Sequence, residues 1–320
     1  MQTLLLIDGN AIFHRAYYAL PDFKTRSGLH TNAVYGFFAM LHKAISDFKP
    51  THVVIAFDTP KPTFRVKLLP AYQAQRPSAP AEFAMQFPMV REAIDAAGII
   101  RIEKDGFEAD DVIGTLSVQY KKEDFKVIIL TGDRDIMQLV DKNVFVVTPQ
   151  KGLSSITIYD KEEVVKKMGL TPDKIPDLKG LMGDPSDNYT GAVGVGPKTA
   201  IKLIQEFDSV ENLYKNFAKI PEGRLKQILE EHKKNVLLSK KLATIICDVP
   251  VESVIDKATF HGFNPKLGDV FDKFEIRSLK ARLLKNQPTS REESKASLNR
   301  PTEKKEKKKE DSTDQIDMFS

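Results

Sequence analysis

Short unbroken apolar runs punctuate the first half of the chain, and three of them run into an acid. Residues 4–7 lead into Asp8, residues 53–57 into Asp58, and residues 127–130 end shortly before Asp133. Runs of this length without polar alternation read as strands covered on both faces. The pattern predicts strands over 3–8, 52–58 and 125–130, with shorter ones at 144–147 and 156–159. Helical spacing falls between them, over 32–48, over 89–97 with Gly98 as its C-cap, and over 108–121. Pro60, Pro62, Pro70, Pro77, Pro80 and Pro88 interrupt residues 61–90 and argue against one long helix there. Strands alternating with helices predict an α/β fold: a mostly parallel sheet flanked by helices.

From 161 to 285 the pattern turns mostly helical, with no internal repeat. After Pro288 the composition changes. Residues 289–314 are rich in Lys, Glu, Ser and Thr and almost free of apolar residues, as expected of a disordered tail.

Composition narrows the class. A chain of 320 residues holds one large domain or two modest ones, and 41% apolar content suffices for an ordinary core. A single cysteine, Cys247, excludes an internal disulfide and fits a reducing compartment. The six histidines show no zinc-like spacing. No apolar run approaches the ~20 residues of a membrane helix. Asp8 breaks the N-terminal apolar run, and no cationic segment precedes it, so no signal peptide is read and a cytoplasmic location is expected.

The candidate chemistry lies in nine carboxylates: Asp8, Asp58, Glu108, Asp110, Asp111, Asp133, Asp135, Asp184 and Asp187. In an open α/β sheet, ligands bind at the C-terminal edge of the strands, where several of these acids fall. Gathered there they would repel one another, and divalent cations relieve that, since hard oxygen donors suit Mg²⁺ or Mn²⁺. Glu108 and Asp111 are three apart at a helix start and share a face. Asp133 and Asp135 follow a strand and point the same way if the chain stays extended. Asp184 and Asp187 are three apart on a short helix expected after Gly183. Each group alone reads equally as a cap or a turn; their joint placement after apolar strands is what points to metals. Phosphoryl transfer needs such a site: two ions ~4 Å apart activate water and stabilise the leaving oxygen.

Net charge adds to this only beside the acids. The chain carries +4, and residues 289–320 hold eight Lys/Arg and eight Asp/Glu, so the whole excess belongs to the preceding part. Basic surface around an acidic site fits a polyanion partner, with a mixed soluble surface as the plain alternative.

A second motif is Gly191-Ala-Val-Gly194-Val-Gly196-Pro197-Lys198-Thr199. Pro197 suits a first helical position. Free N–H groups at that start can bind phosphate. The spacing matches neither a Walker loop nor the dinucleotide fingerprint. With helix on both sides it reads as a helix-hairpin-helix, which grips a nucleic-acid backbone without reading bases; a tight interhelical turn is the alternative.

Taken in order, Leu-Leu-Ile-Asp8-Gly, Ala-Val-Tyr35-Gly36-Phe, Phe57-Asp58, Phe64-Arg65, Glu108-Ala-Asp110-Asp111, Thr131-Gly-Asp133-Arg-Asp135 and Gly183-Asp184-x-Ser-Asp187-Asn188 form a recognisable series. Over residues 2–285 the chain resembles the 5′-3′ exonuclease, flap endonuclease-like domain of bacterial DNA polymerase I. The resemblance implies a PIN-like core over 1–160, a helical arch over about 61–92, and a helix-hairpin-helix domain over 161–287. It implies a two-metal site built from all nine acids, the first seven nearest the chemistry, and a monovalent cation at the hairpin. It further implies Arg65 and Arg76 at the scissile phosphate, Arg15 and Lys198 on the DNA backbone, and Gly191, Gly194, Gly196 and Thr199 in the hairpin. Tyr17 and Tyr18 suit stacking on an unpaired base, with core packing as the alternative.

One position departs from the family. The arch reads Tyr72-Gln73-Ala74-Gln75-Arg76, with Gln73 where the family carries lysine. Lys67 is the nearest candidate to supply the missing charge. The expected activity is therefore reduced, not absent.

The sequence stops at Gln315-Ile316-Asp317-Met318-Phe319-Ser320, with no polymerase sequence following, so a stand-alone monomeric nuclease is expected. Residues 315–319 resemble the peptide that bacterial replication proteins insert into the sliding clamp. About 27 linker residues behaving as flexible coil would reach roughly 30 Å. The expectation is a Mg²⁺-dependent nuclease acting on branched, nicked or 5′-flap DNA; a non-catalytic junction-binding factor and a PIN-like ribonuclease are the alternatives.

Overall fold

The computed structural model describes residues 2–121, 125–150 and 155–284. Its elements run β1 (Thr3–Asp8), α1 (Gly9–Ala19), α2 (Asn32–Phe48), β2 (His52–Ala56), α3 (Phe64–Leu68), α4 (Ala81–Ala96), β3 (Ile100–Ile102), α5 (Ala109–Lys121), β4 (Lys126–Leu130), β5 (Val144–Pro149) and β6 (Ile156–Tyr159). There follow α6 (Lys161–Met168), α7 (Ile175–Met182), β7 (Gly183–Asp184), β8 (Tyr189–Thr190), α8 (Pro197–Phe207), α9 (Val210–Lys215), α10 (Arg224–Glu231), α11 (Lys233–Ala243), α12 (Leu267–Lys273) and α13 (Arg277–Leu284).

The main sheet has the order β3-β2-β1-β4-β5-β6, parallel except for β6. Alternate residues of each central strand point to opposite faces. Leu5, Ile7, Val53, Ile55, Ile128 and Leu130 therefore enter one apolar layer with α1, α2 and α4. Leu4, Leu6, Val54, Ala56, Val127 and Ile129 enter the other with α5. Two covered faces are the reason the strands read as unbroken apolar runs.

The order reverses between β1 and β4, which is where an open sheet leaves a crevice at its C-terminal edge. The register sets the acids level with that crevice. Asp8 lies opposite Ala56, two residues before Asp58, and Ile7 lies opposite Leu130, three residues before Asp133.

Four local expectations are corrected. The helix expected at 89–97 starts at Ala81 and carries Pro88 inside it. Proline there removes a backbone bond, but Phe83 and Phe87 pack on Phe13, and buried Gln86 bonds the Ala33 N–H and the Asn32 side chain. Helix α1 and the three-residue edge strand β3 were not foreseen. Asp135 does not extend β4 but starts a 3₁₀ turn over Asp135–Leu139. Asp184 ends β7 and Asp187 lies in the turn leading to β8, with no short helix there.

Contacts made later in the chain cross the expected boundary at 160/161. A third apolar layer does form among α7, α8, α9 and α11. Yet the chain then returns: the Val53 N–H donates to Ala258 and the Phe260 N–H to Thr51. Phe263, Leu267, Phe271 and Leu279 fill the layer around α2 and α4, so residues up to Leu284 form one compact unit. Among the described residues no helix is long and apolar enough to cross a membrane. The candidate clamp peptide, Gln315 to Phe319, lies outside the described residues.

Candidate active site

Four of the acids are held by backbone N–H or hydroxyl donors. One oxygen of Asp8 accepts from the Ala11 N–H at 2.9 Å, capping α1, and the other from the Thr131 hydroxyl at 2.7 Å. Asp58 accepts from the Ala109 N–H at 2.7 Å, capping α5. Asp133 accepts from the Asp135 N–H at 2.8 Å. Glu108 accepts from Thr63 at 3.2 Å and from the Tyr72 hydroxyl at 3.3 Å. Capping and metal binding were alternatives in the sequence; here capping is what orients the carboxylates.

Asp110 stands among Asp133, Asp8, Asp58 and Glu108, and burial together with these like charges raises its pKa well above the ordinary carboxylate range. Burial, then the neighbouring acids Asp58 and Asp133, push Asp8 up to about 7 against the pull of its two hydrogen bonds. Glu108 is pushed up to about 7, again by burial first, with Arg65 opposing and Asp111 and Asp58 adding. Asp58 rises for the same reason. These groups are destabilised as anions by their own fold, and a divalent ion would remove the cause.

A second acidic group lies beside it. Carboxylate oxygens of Asp135, Asp184 and Asp187 come within 4.8 Å of one another. All donors are hard oxygens, which fits Mg²⁺ or Mn²⁺. Asp184 is oriented by the Ser186 N–H at 2.8 Å and the Ser186 hydroxyl at 2.5 Å. Burial pushes Asp135 up to about 6, with Asp133 adding and Lys179 opposing. Burial also works against ionised Asp184, but Lys179 and Ser186 outweigh it and hold this carboxyl below its usual value. The Tyr72 hydroxyl, 3.3 Å from both Glu108 and Asp187, joins the two groups.

Asp135 sits with the hairpin pair, and Asp111 sits with neither group. Asp111 is fully buried and receives Arg65 in a fork at 2.7 and 2.9 Å. It also accepts from the N–H groups of Ile246 and Glu108. Arg65 is 3% exposed and spends its remaining donors on the Leu242 and Thr244 carbonyls. The two side chains turn to each other because a buried guanidinium needs a carboxylate and carbonyls to satisfy it.

Arg76 remains at the rim, 55% exposed and 2.6 Å from Asp187. Beside it, the Gln73 amide donates to Asp187 at 3.2 Å, and the Gln73 N–H donates to the Asp187 carbonyl at 2.9 Å. Asn188 closes the contact by donating to the Ala71 carbonyl at 2.7 Å. Gln73 adopts φ 56°, uncommon for a residue with a side chain. Lys67 is exposed on α3. Arg15 donates to the Gln150 carbonyl. Tyr18 is 61% exposed, and its ring lies 4.6 Å from that of His14.

The glycines of the second motif separate into two roles. A side chain on Gly191 would run into the Gly180 and Leu181 carbonyls, so this glycine lets the hairpin cross the end of α7. Gly194 (φ +98°) and Gly196 are exposed, and a Cβ on Gly196 would meet nothing within 4 Å. Lys198 and Thr199 occupy the first turn of α8, with Lys198 exposed. Sequence reasoning missed Lys179, Tyr72 and Thr131 as parts of the site. For Lys179 a signal existed, since its place in the last turn of α7 sets it next to the hairpin acids.

Two family models match. One, described as 5′-3′ exonuclease, N-terminal resolvase-like domain, covers residues 3–169. The other, 5′-3′ exonuclease, C-terminal SAM fold, covers 170–266. DNA polymerase I of Bacillus subtilis (strain 168) is 46% identical over 263 residues, 82% of this chain and 30% of that protein. DNA polymerase I of Bacillus caldotenax is 43% identical over 293 residues, 91% of this chain and 33% of that protein. The chain thus spans about a third of the length of these curated relatives. Among solved structures, T5 5′-exonuclease with bound zinc superposes with a TM-score of 0.64 at 19% identity, covering 87% of this chain and 100% of that one. The catalytic core of Rad2 in complex with DNA substrate gives 0.58 at 18% identity, covering 88% and 92%. These two likenesses concern the fold.

Proposed function

The chain belongs to the 5′-3′ exonuclease family, and from that premise we propose that it is a divalent-metal-dependent nuclease that hydrolyses DNA phosphodiesters at 5′ ends and 5′ flaps of branched or nicked duplexes. The observation that carries this reading is the pair of adjoining acidic groups at the switch point of the sheet, one around Asp110 and one made of Asp135, Asp184 and Asp187.

Asp8, Asp58, Glu108, Asp110 and Asp133 would hold the inner ion, and the hairpin triad the outer one. Bound there, Mg²⁺ or Mn²⁺ supplies Lewis acidity and lowers the pKa of water. The chain's own groups do the rest. Caps on α1 and α5 fix Asp8 and Asp58 so that no rearrangement is needed when charge arrives. Arg76 at the rim, paired with Asp187, is the cation we place against the phosphate, which would displace it from that carboxylate. Gln73 can donate there but cannot neutralise charge. Lys198 and the first N–H groups of α8 would hold the backbone of the duplex, with Arg15 and Tyr18 along the path of the strand.

Primer removal and repair in the cytoplasm are the work such an activity suits. For residues 315–319 we keep the clamp-peptide role suggested by their sequence, since a tether raises local concentration at junctions. Clamp binding left unchanged by deleting 315–320 would end that part of the proposal.

The test uses three labelled substrates, a 5′-flap DNA, a nicked duplex and an RNA strand, each with and without Mg²⁺. Flap cleavage only with Mg²⁺ is expected. Binding to the flap without cleavage would indicate a junction-binding factor. Cutting confined to RNA would indicate a ribonuclease.

A further inference from the structure

The two acidic groups differ in the cations the chain itself supplies. The outer triad is already served by two. The Lys179 ammonium lies 2.8 Å from Asp135 and is bonded to Asp184, and Arg76 holds Asp187. Among the described residues, the one ion pair to the inner group is Arg65, 3.3 Å from Glu108, and that guanidinium is committed to Asp111 and two carbonyls; Arg76 acts on Asp58 and Asp133 only through space. Lys179 is not a stray surface lysine. Its side chain is 20% exposed and starts from the last turn of α7. That helix packs so closely on α11 that a Cβ on neighbouring Gly180 would lie 2.8 Å from the Lys240 Cβ. The stem therefore starts from a fixed point and delivers the ammonium between two carboxylates.

We infer that Lys179 is a built-in competitor for the outer metal position. Its ammonium neutralises Asp135 and Asp184, and it must leave them before a divalent ion can take both oxygens. Like charges repel, so the ammonium and the ion do not share the triad. Among the described residues no lysine is paired with an inner acid, so Lys179 acts on occupancy of the outer position. Ser186 bonds Asp184 independently through its N–H and hydroxyl. Removing the lysine therefore leaves that carboxylate oriented, with Asp135 and Asp184 no longer neutralised and Arg76 still on Asp187. That state binds a divalent cation more tightly. The inference rests on the two-metal reading above for the identity of the ion.

The test is a DNA-free titration of the full chain with Mn²⁺, followed by calorimetry and by the spin-resonance signal of the free ion. Two classes of binding are expected for the wild type. Lys179→Met and Lys179→Gln should tighten the weaker class by tenfold or more and change the tighter class by less than twofold. Lys179→Arg, which keeps a cation, should behave as the wild type. An intact tighter class shows that a variant has folded. A weaker class that is unchanged or weakened in both neutral variants would overturn this inference alone. No Mn²⁺ binding by the wild type would overturn the two-metal reading and this inference with it.

Discussion

Arg65 and Arg76 are both arginines beside acids between β2 and α4, yet burial gives them opposite roles. Removing one partner of a buried ion pair typically costs about 3–5 kcal/mol, because the other charge is stranded. Arg65→Ala should lose stability on that scale in urea unfolding, and Arg65→Lys should lose much of it, since lysine cannot form the fork to Asp111. Arg76 is half exposed, so Arg76→Ala should unfold within ~0.5 kcal/mol of wild type while flap cleavage falls on the order of 100-fold, the usual cost of one stabilising group. Equal loss of stability in both would refute the assignment. By the same reasoning Gln73→Lys should raise the cleavage rate by up to about 100-fold, and a rate equal to that of wild type would sink the idea that Gln73 limits turnover. At this scale the sequence was legible for Asp8, Asp58 and Asp133, because strand ends declare themselves. It was not legible for Asp111 or Arg65. Their acceptors, Leu242, Thr244 and Ile246, lie far along the chain, and no local pattern announces them.

Among elements, the hairpin that follows α7 is the joint between the two groups of acids. Gly183 has φ +73°, and a Cβ there would lie 2.6 Å from the Tyr189 carbonyl oxygen; Gly191 meets the carbonyls of α7 just as closely. Gly191→Ala forces the backbone to move, which typically costs about 1–3 kcal/mol. Gly196→Ala meets nothing within 4 Å and should leave urea unfolding unchanged, so any effect it has on flap-DNA affinity reports the interface itself. Matching losses of stability in the two variants would contradict the division of roles. The glycines were visible in the sequence, but which served packing and which lay open was not, because that depends on how closely α7 approaches. Helix α4 teaches the converse: Pro88 was read as a break, and tertiary packing of Phe83, Phe87 and Gln86 overrode it.

For the molecule as a whole, the acids make stability depend on pH and on metal together. Asp8 and Glu108 are pushed to about 7 and Asp135 to about 6, each chiefly by burial. A carboxyl whose folded pKa lies above its unfolded value of about 4 binds its proton more tightly in the fold. Its contribution is full below that unfolded value and is lost as pH rises through the folded one. Metal-free protein should therefore lose stability between about pH 4 and 7 through these groups. A bound ion opposes the loss by stabilising the anions. The gap in melting temperature between Mg²⁺-loaded and metal-free protein should widen from pH 5 to pH 8. A gap that stays constant across that range would contradict the electrostatic account.

The clip between Arg65 and the end of α11 has a consequence for protein synthesis. Translation delivers the last of the nine acids at residue 187, but the carbonyls that receive Arg65 belong to residues 242 and 244. The layer that closes over α2 is completed only by residues 263–283. A nascent chain on the ribosome thus carries every acid long before Arg65 can settle against Asp111. Until then the Arg65 guanidinium, which also reaches Glu108, lacks two of its acceptors. On the nuclease reading proposed above, a chain whose supporting clip closes this late is kept from cutting while it is still being made.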